Sequence, residues 1–337
     1  MNHSETKHPL RILASQLAIP ELASQLKRSA NFPYELLQSD HISPGTAFDV
    51  ALISRDVTAT STKQKIIPST QAFYDLLLGS SDLRWAQIHS AGADRQIYLD
   101  LMKRGVMISG SSGVNAPVVI QNAIAGILML ARKFPQMLQA QTEHRWDSLI
   151  NYPLPEDLSA QTAVIVGRGP IGDGIARALH VFGVKTILVG FNAALKEKRA
   201  SEGNAIHISQ IQEMLPQAQW LVLACPLSND TRGLLDRATF NLLPPAAKII
   251  NIARGEIINE PDLIAALQSK QLGGAYLDVF ASEPLDAASP LWDMENVIVT
   301  PHSAGHSAGN EQRVLELFIS NLHLFAHGQS LKNHIAS

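Results

Sequence analysis

The chain has 337 residues, 46% hydrophobic and 17% charged, which is more length than one core needs and enough apolar material for two. Thirty Asp and Glu against 27 Lys and Arg give a net charge of −3, which argues against a nucleic acid or an anionic membrane surface as partner. The single cysteine, Cys225, excludes an intrachain disulfide, and the twelve histidines show no metal-ligand spacing, so no metal is expected.

The first nine residues, MNHSETKHP, are polar with no apolar signal core behind them, and the longest apolar stretch, Ala123–Ala131, is too short to span a bilayer. The expectation is a soluble cytoplasmic protein with no membrane partner.

Leu10–Ser15 reads as a strand, Pro20–Arg28 as a helix, Asp49–Ile53 as a strand and Ser69–Leu78 as a helix. Arg84–His89 is a strand ending in the glycine turn Ser90–Asp94, and Val106–Ser109 is another strand. Ser111–Pro135 predicts a long apolar helix, with Asn115 as cap, Pro117 in its first turn and Pro135 as its stop. Gln136–Leu158 is polar and irregular, a linker or an arm against a second subunit.

Ala163–Asn192 has a different character. An apolar run, Ala163–Val166, meets glycines at 167, 169 and 172, then an amphipathic segment, Ile175–Phe182, and a second apolar run, Thr186–Val189. This is the strand–turn–helix–strand order of a dinucleotide-binding unit. Gly167 permits the turn, Gly169 lets backbone approach a pyrophosphate, and Gly172 lets helix pack closely on strand. The phosphates then meet the helix's free N–H groups.

Strands recur at Trp220–Ala224, Lys248–Ile252, Gly274–Val279 and Val297–Thr300, with helices at Ile208–Leu215, Thr239–Leu243 and Glu260–Ser269 between them. Roughly six parallel strands follow from Ala163 to Thr300, and Glu311–Ala326 is a final amphipathic helix. In an open α/β sheet, ligands bind at the carboxyl ends of the strands. Arg254, Glu283 and His302 each follow a strand there. Singly they read as a helix-start ion pair, a solvated turn residue and a loop histidine. Jointly, above a dinucleotide turn, they supply what a hydroxyl–carbonyl interconversion needs. Histidine is the acid–base group at the oxygen, a carboxylate orients it and raises its pKa, and arginine offers a fork matched to a substrate carboxylate.

The motifs NIARGEIINEPDLIAAL (251–267), GGAYLDVFASEPL (273–285) and SPLWDMENVIVTPHSAG (289–305) carry a closer likeness. With VGRGPIGDGIARAL, CPLSNDTRGLL and the SGVNA helix entry upstream, the chain resembles the D-isomer-specific 2-hydroxyacid dehydrogenase family, over roughly Ile88 to Gly305. The resemblance implies a Rossmann NAD(P)-binding domain, 116–306, inserted in a flavodoxin-like catalytic domain, 1–115 plus 307–337, both doubly wound parallel-sheet α/β domains. It implies Arg254 as the substrate-orienting arginine, Glu283 as the tuning carboxylate and His302 as the proton donor. The Ser90–Asp94 turn is similar to the family's loop whose backbone at Ala91, Gly92 and Ala93 receives the substrate carboxylate. Asp278 matches the residue that holds the nicotinamide carboxamide. Gly167, Arg168, Gly169, Pro170, Ile171, Gly172, Asn192, Cys225, Pro226, Thr231, Ile252 and Ala253 match cofactor positions. A homodimer is also implied, through the long helix and the arm.

Two departures stand out. Ile120-Gln121-Asn122 replaces an acid-bearing triplet common in the family, and Asn192 stands where an NAD site places Asp or Glu. An acid there repels the 2′-phosphate of NADP and asparagine does not, while Lys196, Lys198, Arg199 and Arg168 lie nearby in sequence, so NADP is expected ahead of NAD. The expected substrate is a small 2-keto acid such as glyoxylate or hydroxypyruvate. A formate dehydrogenase of the same fold is disfavoured by Glu283, and a dinucleotide-sensing corepressor by the intact Arg254, Glu283 and His302 set.

Overall fold

The computed structural model describes residues 8–62, 65–192 and 205–335, and the chain divides into two compact units. One runs to Asn115 and resumes at Ser307; the other is Ala116–His306. The first begins with β1 (Leu10–Ala14), α1 (Ile19–Ser29), β2 (Tyr34–Gln38), β3 (Val50–Ile53), α2 (Arg55–Thr58), α3 (Pro68–Gly79), β4 (Trp85–Ile88), α4 (Gln96–Lys103) and β5 (Met107–Ser109).

The second unit opens on α5 (Ala116–Ala131) and α6 (Phe134–Thr142). Then come β6 (Thr162–Val166), α7 (Pro170–Val181), β7 (Lys185–Gly190), β8 (Ala205–His207), α8 (Ile211–Met214) and β9 (Trp220–Leu223). It closes with α9 (Arg237–Phe240), β10 (Ala247–Asn251), α10 (Glu260–Gln268), β11 (Leu272–Leu277) and β12 (Val297–Val299). The chain then returns to the first unit with α11 (Asn310–Ala326) and β13 (His334–Ile335).

The first sheet has the order β13-β5-β4-β3-β1-β2, and all its pairings are parallel except β13 with β5. Without β13 this is the 2-1-3-4-5 order of a flavodoxin-like fold. The carboxyl-terminal helix belongs here for a physical reason. Phe318 and Phe325 of α11 lie 5.3 and 5.4 Å from the buried Trp85 ring. Asn321 donates to the buried Gln87 amide oxygen at 3.0 Å and to the Lys332 carbonyl at 3.1 Å. Two buried polar side chains thus satisfy each other, as burial requires.

The second sheet is β12-β11-β10-β9-β6-β7-β8, wholly parallel: the Rossmann order 3-2-1-4-5-6 with one strand added. Its strands are apolar on both faces. Val164, Val166, Leu221, Leu223 and Ile249 point to one core, while Ala163, Ile165, Val222 and Ile250 point to another with α5 residues Val119, Ala123 and Ile127. Period-2 alternation places every residue of such a run against helices, which explains the near-continuous apolar sequence.

The structure differs from the sequence expectation in several places. β2, β8, α2 and α4 are additional elements, so the second sheet has seven strands and not six. The stretch expected to be irregular from Gln136 is helical to Thr142. Pro135 occupies the first turn of α6, where its missing N–H costs nothing. The break falls earlier, at Lys133 with φ +55°, and bends α6 by 73° from α5. Among the described residues no single helix is long and apolar enough to cross a membrane.

Candidate active site

The dinucleotide turn joins β6 to α7. Gly167 has φ +124°, and a Cβ there would lie 2.4 Å from the Ala224 carbonyl oxygen; one on Gly172 would lie 1.9 Å from the Gly167 oxygen. Only glycine allows this turn to lie on β9 and α7 to start against it. Gly169 differs, because a Cβ there meets nothing within 4 Å. Its place is open space at the start of α7, whose N-cap Gly169 has no side-chain cap. The amides of Gly169, Ile171 and Gly172 donate to no acceptor among the described residues. Three N–H groups and a twelve-residue helix's positive end beside open space fit a dinucleotide pyrophosphate.

The other matched positions fall in this turn and in the segments that follow β7, β9 and β10. Arg168 and Pro170 are exposed, Ile171 is half-buried, and Asn192 is exposed two residues beyond β7. Lys196, Lys198 and Arg199 lie outside the described residues. Cys225 is buried, which pushes its thiol up to about 12, so it stays protonated and serves as an apolar wall. Thr231 is fully buried, and its hydroxyl donates to the Pro226 carbonyl at 2.9 Å while accepting the Ser228 amide at 2.7 Å. That hydroxyl fastens the 226–231 loop from within. Ile252 and Ala253 are buried past the end of β10.

Glu283 and His302 come together. His302 Nδ1 donates to Glu283 Oε2 at 2.8 Å, and the Phe280 amide donates to Oε1 at 3.1 Å. Burial alone raises the Glu283 pKa, but the His302 hydrogen bond and charge, the Phe280 amide and the Arg254 charge outweigh it, holding the carboxyl below its usual range. The carboxylate is therefore ionised and fixes the tautomer with the proton on Nδ1. The His302 side chain is 49% exposed, and its Nε2 has no protein partner among the described residues. Arg254 follows β10 in extended backbone, where the Asn251 side chain bonds both the Ala253 amide and the Arg254 carbonyl.

His302 itself sits at φ +49°, a left-handed backbone that must be held in place. Asp278, buried at the end of β11, does this. Its carboxylate accepts the Thr300 hydroxyl at 2.6 Å, the Ser303 amide at 2.7 Å and the Ala304 amide at 3.0 and 3.1 Å. Asn122 holds the loop from the other side, donating from α5 to the Ala304 carbonyl at 3.0 Å. The departure from the acid-bearing triplet thus has a visible consequence. Sequence pattern singled out Asn122 only as an oddity, with no signal for its partner.

In the first unit the Ser90–Asp94 turn follows β4. The Ser90 hydroxyl donates to the Gly92 carbonyl at 2.9 Å, the Ser111 amide to the Ser90 carbonyl at 2.8 Å, and Arg95 to the Ser61 carbonyl at 2.6 Å. The loop is braced at both ends, and the amides of Ala91, Gly92 and Ala93 donate to no acceptor among the described residues. Three consecutive amides without an acceptor are donors available to an anion.

A nicotinamide-dependent oxidoreductase acting on CH–OH donors is the class this fold and site define, and comparison with known proteins places it. The D-isomer specific 2-hydroxyacid dehydrogenase, NAD binding domain profile matches residues 124–304. The chain belongs to that family. It is 31% identical over 242 residues to the glyoxylate reductase/hydroxypyruvate reductase of Homo sapiens, covering 70% of this chain and 72% of that one. To the mouse protein of the same name it is 29% identical over 261 residues, 76% of this chain and 77% of that one. Among solved structures, a D-isomer specific 2-hydroxyacid dehydrogenase family protein from Aeromonas salmonicida is 27% identical with a TM-score of 0.76, covering 97% of this chain and 99% of that one. An NADPH-dependent glyoxylate/hydroxypyruvate reductase from Sinorhizobium meliloti shares the fold at 24% identity, TM-score 0.73, with 97% and 98% covered.

Proposed function

We propose that the chain reduces a small 2-keto acid, such as glyoxylate or hydroxypyruvate, to the D-2-hydroxy acid, with NADP preferred over NAD. The observation that carries this reading is the His302–Glu283 pair, whose geometry leaves Nε2 unpartnered. A bound nicotinamide dinucleotide supplies the hydride that reaches the carbonyl carbon. His302 delivers the proton to the carbonyl oxygen from Nε2. Glu283 holds the ring and offsets the charge it carries. Arg254 orients the substrate through its guanidinium, and the free amides of Ala91, Gly92 and Ala93 receive the substrate carboxylate. The 116–306 unit is the dinucleotide domain in this reading, and Asp278, besides fastening the His302 loop, retains a carboxylate oxygen for the nicotinamide amide.

Asn192 supports NADP, since it brings no negative charge to the place where an acid would repel a 2′-phosphate. A homodimer belongs to the same proposal: Trp146 is 99% exposed and Ile150 79%, with Leu154 also exposed, a row of large apolar groups in need of a cover. A cytoplasmic location suits the one buried, protonated cysteine. The test is a panel of 2-keto acids with NADPH and NADH. Oxidation of NADPH by glyoxylate or hydroxypyruvate, with the D-hydroxy acid as product, is expected. No oxidation by any 2-keto acid contradicts the reaction, and a clear preference for NADH contradicts the cofactor assignment.

A further inference from the structure

Asn122 stands near the middle of α5, four residues before Gly126, so the two share one face of the helix. That face lies on β11 and on the loop that carries His302. A Cβ on Gly126 would fall 2.5 Å from the Tyr276 ring, so the helix backbone rests directly on that ring. The Tyr276 and Thr300 hydroxyls hydrogen-bond at 3.2 Å, just ahead of His302.

An asparagine within a helix can bond the carbonyl four residues back, and Asn122 does so, donating to Val118 at 3.1 Å. Its second Nδ2 hydrogen does something else. It reaches across 182 positions to the Ala304 carbonyl at 3.0 Å. Ala304 is 2% exposed, and no other donor among the described residues reaches that carbonyl. The Ala304 amide is equally committed, to Asp278. Ala304 is thus held on both sides, by the end of β11 through its N–H and by α5 through its C=O. His302 lies two residues away, with its own amide on the Asp278 carbonyl at 2.8 Å. Both hydrogens of the Asn122 amide go to carbonyl oxygens, and a carboxylate of the same shape has no hydrogen for either.

We infer that Asn122 is a positioning residue for His302: through the Ala304 carbonyl it keeps the loop where Nε2 can deliver its proton. The inference rests on the proposed reduction with His302 as donor, and adds to it a residue that acts through the loop. Asp278 and Glu283 hold the loop and the ring from the end of β11 and the segment after it, and Asn122 holds them to the helix. Displacing a catalytic group by about 1 Å costs on the order of a hundredfold in rate. A lost anchor is therefore felt in the proton step before it is felt in binding.

The test compares wild type with Asn122→Ala and Asn122→Asp in glyoxylate reduction by NADPH near neutral pH. Asn122→Asp keeps the volume and removes both donors, which separates the hydrogen bond from packing. In both variants kcat falls by about tenfold or more, while KM for glyoxylate and NADPH affinity stay within about twofold. The solvent deuterium isotope effect on kcat rises, because proton delivery limits turnover more. A near-wild-type kcat with an unchanged isotope effect overturns the inference. A lower kcat without a rise in the isotope effect also overturns it, since that marks only a loss of folded enzyme. A fall confined to Asn122→Ala marks packing and overturns it too. Hydrogen exchange gives a readout independent of turnover. The Ser303 and Ala304 amides exchange about tenfold faster in Asn122→Ala, while those of β6 keep their wild-type rates. Unchanged exchange at these two amides overturns the anchoring role even in an active enzyme. If wild type reduces no 2-keto acid, the reductase reading fails by itself, and the exchange rates still decide whether Asn122 holds the loop.

Discussion

The Ala304 amide donates to both oxygens of the buried Asp278 carboxylate, at 3.1 and 3.0 Å, two residues beyond His302. With the Thr300 hydroxyl and the Ser303 amide on the same carboxylate, the loop holding His302 at φ +49° is fastened around a single side chain. The position of His302 is therefore set by Asp278 as well as by Glu283.

Replacing Asp278 with Ala takes the carboxylate away from the Thr300 hydroxyl and from the Ser303 and Ala304 amides. The variant loses about 2 kcal/mol of stability, the cost of buried groups left without partners. Thermal unfolding reads this as a lowered midpoint. An unchanged midpoint contradicts the view that this carboxylate organises the loop.

Glu283 gives a pH dependence with a definite sign. Its pKa in the folded chain lies below its ordinary value near 4.5, the upward pull of burial being outweighed by His302, the Phe280 amide and Arg254. A depressed carboxylate contributes stability that is present above the unfolded value and lost as pH falls through the folded one. The stability difference between wild type and Glu283→Gln is therefore flat from neutral pH to about pH 5 and shrinks on further acidification. A difference that grows on acidification contradicts the assignment.

Two glycines of the same turn separate folding from binding. Gly169→Ala meets no atom within 4 Å, so it unfolds at the wild-type midpoint while cofactor affinity falls by about tenfold, as the methyl occupies pyrophosphate space. Gly172→Ala collides with the Gly167 carbonyl and lowers the midpoint itself. Unimpaired cofactor binding by Gly169→Ala contradicts the placement of the pyrophosphate at this turn.

Much of this molecule is legible in its sequence because parallel sheets write plainly. β6, β7, β9, β10, β11 and β12 are apolar on both faces, so each stands out as a run ending in polar residues, and the ends of the last three carry Arg254, Glu283 and His302. β2 did not stand out, since Tyr34–Gln38 is a half-buried edge strand with an exposed glutamate, Glu35, as its second residue. α6 was hidden by Pro135, which reads as a stop but serves equally as a start. The Asp278 and Asn122 contacts were illegible for another reason. Each joins residues 22 or more positions apart, and a hydrogen bond across such a span leaves no local pattern.

The central claim is that His302 gives the proton. His302→Asn is the suitable variant, because asparagine tolerates the left-handed backbone at φ +49° and the loop keeps its shape. The measurement is steady-state reduction of glyoxylate and hydroxypyruvate with NADPH, alongside NADPH binding by the same variant. Loss of a general acid predicts a kcat lower by about a hundredfold or more, with cofactor binding within about twofold of wild type. A variant that binds NADPH and turns over at close to the wild-type kcat contradicts the account.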